Sequence, residues 1–553
     1  MRFLRLLTNS LLAGALGAAY LTILVLQLNP QVPLASATVW RWYLTLCLFY
    51  GVHLALLFYV TMLLREFFSL EIFSPGWISV RLLAWLAAAA AAVAGALMWL
   101  NLRAFPSLFD EAAARRFTFG AVATIASAVV LLGIAIAHYS YGRRGSRVGA
   151  ALLVIAIVGS LALPIAARGA GGELPLGARR VRLAPAAVRQ EPRISLLLID
   201  GASLEYVWPR VAAGRLPNFG RLLDAGASMD LATIRPTQPG PVWTAVATGM
   251  YPARNGVRSA ASYFARGDTR AIDMLPAHCF SHVLVHLGIV RDEAASSAAL
   301  RTRPLWSILG DYGIRSGVVR WPLTYPAEPI DGFLISDRFH QMVGSMFEFD
   351  GRAGYPADVV PLARDAFAGA DPAHGWDDAY SRAMRAAAAA YPVPLTAVRF
   401  ESIDTAAHYA LRDDDGAFAS GPAFDALDRA YADADREIGA ALERLTTGDL
   451  LLVLSGFGMR PVPPVKRLAA RLLRDPDVTG THENAPDGFL LAYGSTVAAG
   501  RKPRGSIVDV TPTILYFLGV PIGRDMDGYA RADLFVPSFT ADRPITFIPS
   551  HGG

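Results

Sequence analysis

The sequence predicts an N-terminal α-helical transmembrane bundle of five helices followed by an α/β domain with a mostly parallel sheet and helices on both faces. Three observations predict it. Hydrophobic residues make up 53% of the 553-residue chain, too large a share for a wholly soluble protein. The apolar excess is gathered before residue 170 in runs long enough to cross a bilayer core. Beyond residue 193, short apolar runs alternate with amphipathic stretches, the pattern of strands feeding helices that return to a parallel sheet.

Within the transmembrane region, residues 1–167, the spanning helices are expected at 11–28, 42–64, 82–100, 117–137 and 148–167. Arg2 and Arg5 before the first run, and Ala35, Ser36 and Ala37 after it, also suit a cleaved signal peptide, although the run is long for one. Arg2, Arg5, Arg65, Arg81, Arg143, Arg144 and Arg147 lie on one side, against Arg41, Arg103, Arg115 and Arg116 on the other. The richer side is expected to be cytoplasmic. Five crossings from a cytoplasmic N-terminus make this an integral membrane protein with its C-terminal domain extracytoplasmic, on the periplasmic or cell-surface side, whether or not the first helix is retained. His53, inside the second span, is expected to face the bundle interior because ionisable groups in lipid are costly.

Residues 168–192, rich in Gly, Ala, Pro and Arg, read as a linker. The α/β domain is expected over 193–540, with a tail at 541–553. Its strands are ISLLLID, SGVVRW, TAVRF, LLLVLS and GFLLAY. The helix before LLLVLS places Leu427, Tyr431, Ala434, Ile438 and Leu442 at helical spacing, a face made to pack on the sheet. Cys47 and Cys279 fall in different parts and exclude a disulfide within the outer domain. The net charge of +5 comes from arginine, without the basic and aromatic alternation of a nucleic-acid groove. The partner this composition implies is the lipid bilayer; nothing in it indicates an oligomeric state.

Ligands of parallel sheets gather at the carboxyl ends of strands. The polar residues there are Asp200 after ISLLLI, Thr237 in RPTQPGPVWTAVATGMYP, Asp404 and His408 after VRFESI, Ser455 to Gly458, and His482. Asp and His converging on one sheet edge suit zinc. Asp404 and His408, four residues apart, share a face if the chain turns helical after its strand. His278, His282 and His286 also recur at every fourth position, but the apolar residues between them favour packing histidines over ligands.

Several stretches in order, LLLIDG, PTQPGPVWTAVATGMYPARNG, RTRPLWSILGDYGIRSGVVRWPLTYPAEPIDGFLISDRF, IDTAAH, GTHENAPDGFLLAYG and DVTPTILYFLGVPIGRDMDG, resemble the alkaline phosphatase superfamily, in its type I phosphodiesterase/nucleotide pyrophosphatase branch. The resemblance implies that fold, and two metals, usually zinc, sharing a phosphoester with a Ser or Thr nucleophile. It assigns Asp404, His408 and His482 to the first metal and Asp200 to the second.

The departures cluster on one sub-site. Pro239 stands where the family carries its nucleophile, and SGFGM replaces SDHGM, so that Gly456 and Phe457 take the place of two ligands of the second metal. One carboxylate does not hold zinc tightly, and one zinc ion at most is expected, with the second site empty. The preferred reading is a non-catalytic member, a pseudoenzyme that binds a phosphoester or other envelope ligand. One alternative is a hydrolase using a single metal on Asp404, His408 and His482, with Thr237 as a substitute nucleophile. Another is a membrane partner or scaffold protein.

Overall fold

The computed structural model describes residues 2–68, 77–140, 147–172, 192–279, 281–342, 351–371, 375–411, 422–464, 466–468 and 478–552. Residues 173–191, most of the expected linker, lie outside the described residues. The chain divides into two compact units, Met1–Pro175 with Ala261–Ala294, and Leu176–Ala260 with Ala295–Gly553.

Among the described residues, the first unit contains five helices long and apolar enough to cross a membrane, Phe3–Leu28, Ala37–Arg65, Val80–Ala104, Glu111–His138 and Arg147–Arg168. The first two approach closely: a Cβ on Gly14 would lie 2.2 Å from the Gly51 carbonyl oxygen, so glycine is required where the backbones meet. Gly51 ends a π-helical turn, Cys47–Gly51, inside the second span. The Tyr20 hydroxyl and Ser160 Oγ, 2.6 Å apart, tie the first helix to the fifth. The expectation that His53 faces the bundle interior is not met. Its ring is exposed, and Nδ1 donates to the Phe49 carbonyl at 2.6 Å. That local bond satisfies one nitrogen without any interhelical partner.

The same unit includes residues 261–294, which the sequence reading placed inside an unbroken α/β domain. Ala261–Ala265 and Val290–Ala294 pair as antiparallel strands. Tyr263, Ile272, Leu275, Leu284 and Val290 form one buried cluster with Val25, Leu26, Val32, Trp42 and Leu46 of the helical region. The short alternating runs of this segment do not reveal from sequence which surface they cover. Cys47 and Cys279 are both free.

The second unit is built on a sheet of ten strands among the described residues. Leu450–Phe457, Ile194–Ile199, Leu395–Phe400, Ser316–Val319 and Gly332–Ile335 are successive parallel neighbours. Asp487–Tyr493 runs antiparallel between Leu450–Phe457 and Ala227–Ala232, so the last predicted strand departs from the parallel rule. Helices cover both faces. Leu427, Tyr431, Ala434, Ile438 and Leu442 of helix Pro422–Arg444 pack with Leu197, Ile199, Val398, Phe400 and Val453. On the other face, helix Pro239–Thr248 lies over the end of Leu450–Phe457, with Val242 and Trp243 against Gly456. The expected tail is docked: Phe547–Ile548 pairs with Ile522–Gly523, and His551 Nε2 donates to the Pro521 carbonyl at 2.8 Å.

Candidate functional site

Two central strands deliver their last polar residues to one edge. Asp200 follows Ile194–Ile199 directly, and Gly201 takes φ +69°, with a Cβ there falling 2.9 Å from Asp404 Cα. Only glycine allows this turn and this approach together. After Leu395–Phe400 the chain enters helix Ser402–Ala410, which carries Asp404 and His408 one turn apart. His482 follows the short strand Gly480–Thr481, which pairs with Arg460–Pro461.

One ligand atom from each of Asp404, His408 and His482 lies within 4.8 Å of the others. Each imidazole is held from behind. His408 Nδ1 donates to the Gly480 carbonyl at 2.8 Å, and His482 Nδ1 donates to the Thr237 carbonyl at 2.9 Å. Such bonds fix the tautomer and leave each Nε2 as the free lone pair, the arrangement of metal-ligating histidines. Asp404 Oδ1 is buried with no hydrogen-bond partner, and Oδ2 lies 3.5 Å from His408 Nε2. The Asp404 carboxylate raises the His408 pKa above the usual imidazole value against the opposing effect of burial. An orphaned buried carboxylate oxygen beside two oriented imidazole nitrogens fits a cation of the zinc type.

Asp200 does not join this group. Its Oδ1 accepts from the Trp243 indole at 2.6 Å, and its Oδ2 accepts from Arg399 Nε at 3.0 Å and Nη2 at 2.5 Å. Asp200 is fully buried and Arg399 is 6% exposed. Burial pushes the Asp200 carboxyl up to about 6, while the Arg399 guanidinium pulls it down. Arg399, although buried, is held charged by Asp200 and Glu401. Glu401, 3.4 Å from Arg399, also receives Arg320 Nη2 at 2.8 Å, and Arg399 holds its carboxyl below the usual range.

The positions that resemble the family's other ligands are filled by packing. A Cβ on Gly456 would lie 2.5 Å from Val242 Cγ1. Phe457 is fully buried, and its ring lies 5.4 Å from that of His482. The residues present do not fit a second metal, because the cation that neutralises Asp200 is a side chain of the protein.

Thr237, the substitute nucleophile of the one-metal alternative, is buried. Its hydroxyl donates to the Ile234 carbonyl at 2.8 Å, a turn bond, and what it offers the site is its own carbonyl to His482. Pro239 is the first residue of helix Pro239–Thr248 and Pro241 the third. Two of the amides that make a helix N-terminus an anion site are therefore missing.

Sequence reasoning missed Arg399, Trp243 and Glu401. An arginine within TAVRF, a strand buried along most of its length, was a readable signal, since a charge there requires a partner. Among the described residues, His278, His282 and His286 form no metal-binding group; His282 instead packs edge-on against Tyr263. A cavity of about 440 Å³ lined by Arg193, Arg385, Arg444 and Asp449 opens where strands Ile194–Ile199 and Leu395–Phe400 begin, at the opposite end of the sheet from the Asp and His residues. It has no part in their chemistry.

No curated protein matches the chain by sequence. Among solved structures, it is similar to murine ectonucleotide pyrophosphatase/phosphodiesterase 5 as an inactive variant in complex with AMP, at 12% identity and a TM-score of 0.40, over 63% of this chain and 100% of that one. The human protein of the same name is similar at 13% identity and a TM-score of 0.39, over 62% of this chain and 99% of that one. The sequence profile described as type I phosphodiesterase / nucleotide pyrophosphatase matches residues 195–509. With more than half of its length matched by that profile, the chain belongs to the type I phosphodiesterase/nucleotide pyrophosphatase family.

Proposed function

We propose that this is a membrane-anchored, extracytoplasmic member of its family that has given up two-metal hydrolysis and keeps one metal-holding half as a binding site for a phosphoester or other envelope ligand. The observation that carries the reading is the pairing of buried Asp200 with Arg399 and Trp243, beside an Asp404 oxygen left without a partner. Asp404, His408 and His482 would hold a single zinc ion, which supplies a Lewis-acidic position for an anionic oxygen. Gly480 and Thr237 orient the two imidazoles through their carbonyls. Proline at position 239 carries no hydroxyl for attack on phosphorus, and the Thr237 hydroxyl is turned to Ile234.

The experiment is hydrolysis of an aryl phosphodiester by the purified, zinc-loaded chain, wild type beside His482→Ala. Retained zinc without turnover is expected. Turnover that disappears in His482→Ala would instead establish the second reading, a one-metal hydrolase. That alternative is supported by the trio itself, three ligand atoms within 4.8 Å of one another, the protein-ligand number of catalytic zinc sites. Placement outside the cytoplasm rests on the arginine bias of the loops. A reporter enzyme fused after Gly553 tests it, and activity in the cytoplasm would reverse the topology.

A further inference from the structure

We infer that residues 261–294 are a second anchor, holding the α/β unit to the helical bundle independently of the linker at 173–191. The segment leaves and rejoins the α/β unit at one point, where the Ala295 N–H donates to the Ala260 carbonyl at 2.9 Å. Everything between these residues belongs to the unit of the membrane-length helices. The joint is specific. Asn29, fully buried at the end of the first helix, donates to the Met274 carbonyl at 2.8 Å, and its oxygen accepts from the N–H groups of Asp273 and Met274 at 3.0 and 3.1 Å. The Ala277 N–H donates to Asn101 Oδ1 at 2.7 Å, the Tyr50 hydroxyl donates to the Cys279 carbonyl at 2.6 Å, and Arg41 pairs with Asp268 at 3.2 Å.

Three different spans thus contribute a polar side chain to the backbone of the segment, around the apolar cluster of Tyr263, Leu275 and Leu284 with Val25 and Trp42. Detachment would orphan the buried amide of Asn29 and expose that cluster together, so the contact is cooperative. A domain tied by a linker alone is shed when the linker is cut. This one is expected to remain.

The test uses the full chain in open membrane sheets, with a site-specific protease sequence placed within residues 173–191. After cleavage and a high-salt wash, the C-terminal fragment is expected to sediment with the membranes, and its appearance in the supernatant would overturn the inference. Replacing residues 261–294 by Gly-Asn-Gly between Ala260 and Ala295 should leave the uncut chain membrane-bound and release the fragment on cleavage. Retention by this variant would show that another surface holds the domain, and would also overturn the inference. Asn29→Leu combined with Asn101→Leu leaves the α/β sequence untouched, and should lower the urea concentration at which the cleaved fragment is released. An unchanged release point would count against the joint described.

Discussion

The two halves of the sheet edge treat a buried carboxylate in opposite ways. Asp200 has both oxygens engaged by groups of the protein, an indole N–H and a guanidinium. Asp404, in the first turn of the helix that follows the neighbouring strand, keeps Oδ1 buried without a partner, next to imidazoles aimed at it by carbonyls behind them. A buried anion requires a compensating cation. One half has built that cation into strand Leu395–Phe400, and the other leaves room for one from solution. On the function proposed above, a side-chain cation at Asp200 stands where the family pattern implies a metal, and the carboxylate itself is kept.

The largest test of this contrast is Arg399→Met, which leaves the buried Asp200 carboxyl with the Trp243 indole but without its cation. It should cost about 3–5 kcal/mol of stability, and adding Asp200→Asn should recover a large part of that loss. Thermal or urea unfolding of the four variants measures the coupling; simple additivity would break the comparison on the Asp200 side. On the Asp404 side, zinc at about 100 times its dissociation constant should stabilise the wild type by about 2.7 kcal/mol. Asp404→Asn and His482→Ala should lose that gain. A wild-type melting temperature indifferent to zinc and to chelator would break the other half.

A further substitution sharpens the contrast. Gly456→Asp restores the acidic residue of the family pattern, but its Cβ meets Val242. It should destabilise by about 1–3 kcal/mol through overpacking and add no zinc to the protein while Arg399 remains. The smallest effect is expected for Thr237→Val. Only the hydroxyl bond to Ile234 is lost, about 1 kcal/mol, and zinc affinity should be unchanged because His482 is oriented by the Thr237 carbonyl.

Much of this was legible in the sequence. The alternation of apolar runs gave the parallel core, and the periodic face of helix Pro422–Arg444 gave its packing. The Asp404 and His408 spacing was readable because one helical turn brings them together; His482 stood among the polar residues near strand ends, and only the family pattern joined it to that pair. Arg399 was harder to read. Its partner lies 199 positions away, and a strand period reports which face a residue occupies, not what stands opposite. The same limit hid the 261–294 segment, whose apolar residues are covered by helices more than two hundred positions earlier. His53 misled for a different reason. The rule that ionisable groups turn inward concerns cost, and a bond to Phe49 within the same helix lowers that cost locally.

Zinc content per chain, measured on purified wild type, His482→Ala and Asp200→Asn side by side, tests the central claim most directly. The account predicts about one zinc in the wild type, none in His482→Ala, and the wild-type amount in a folded Asp200→Asn. About two per chain, with one lost in Asp200→Asn, would contradict it by making Asp200 a ligand in spite of Arg399.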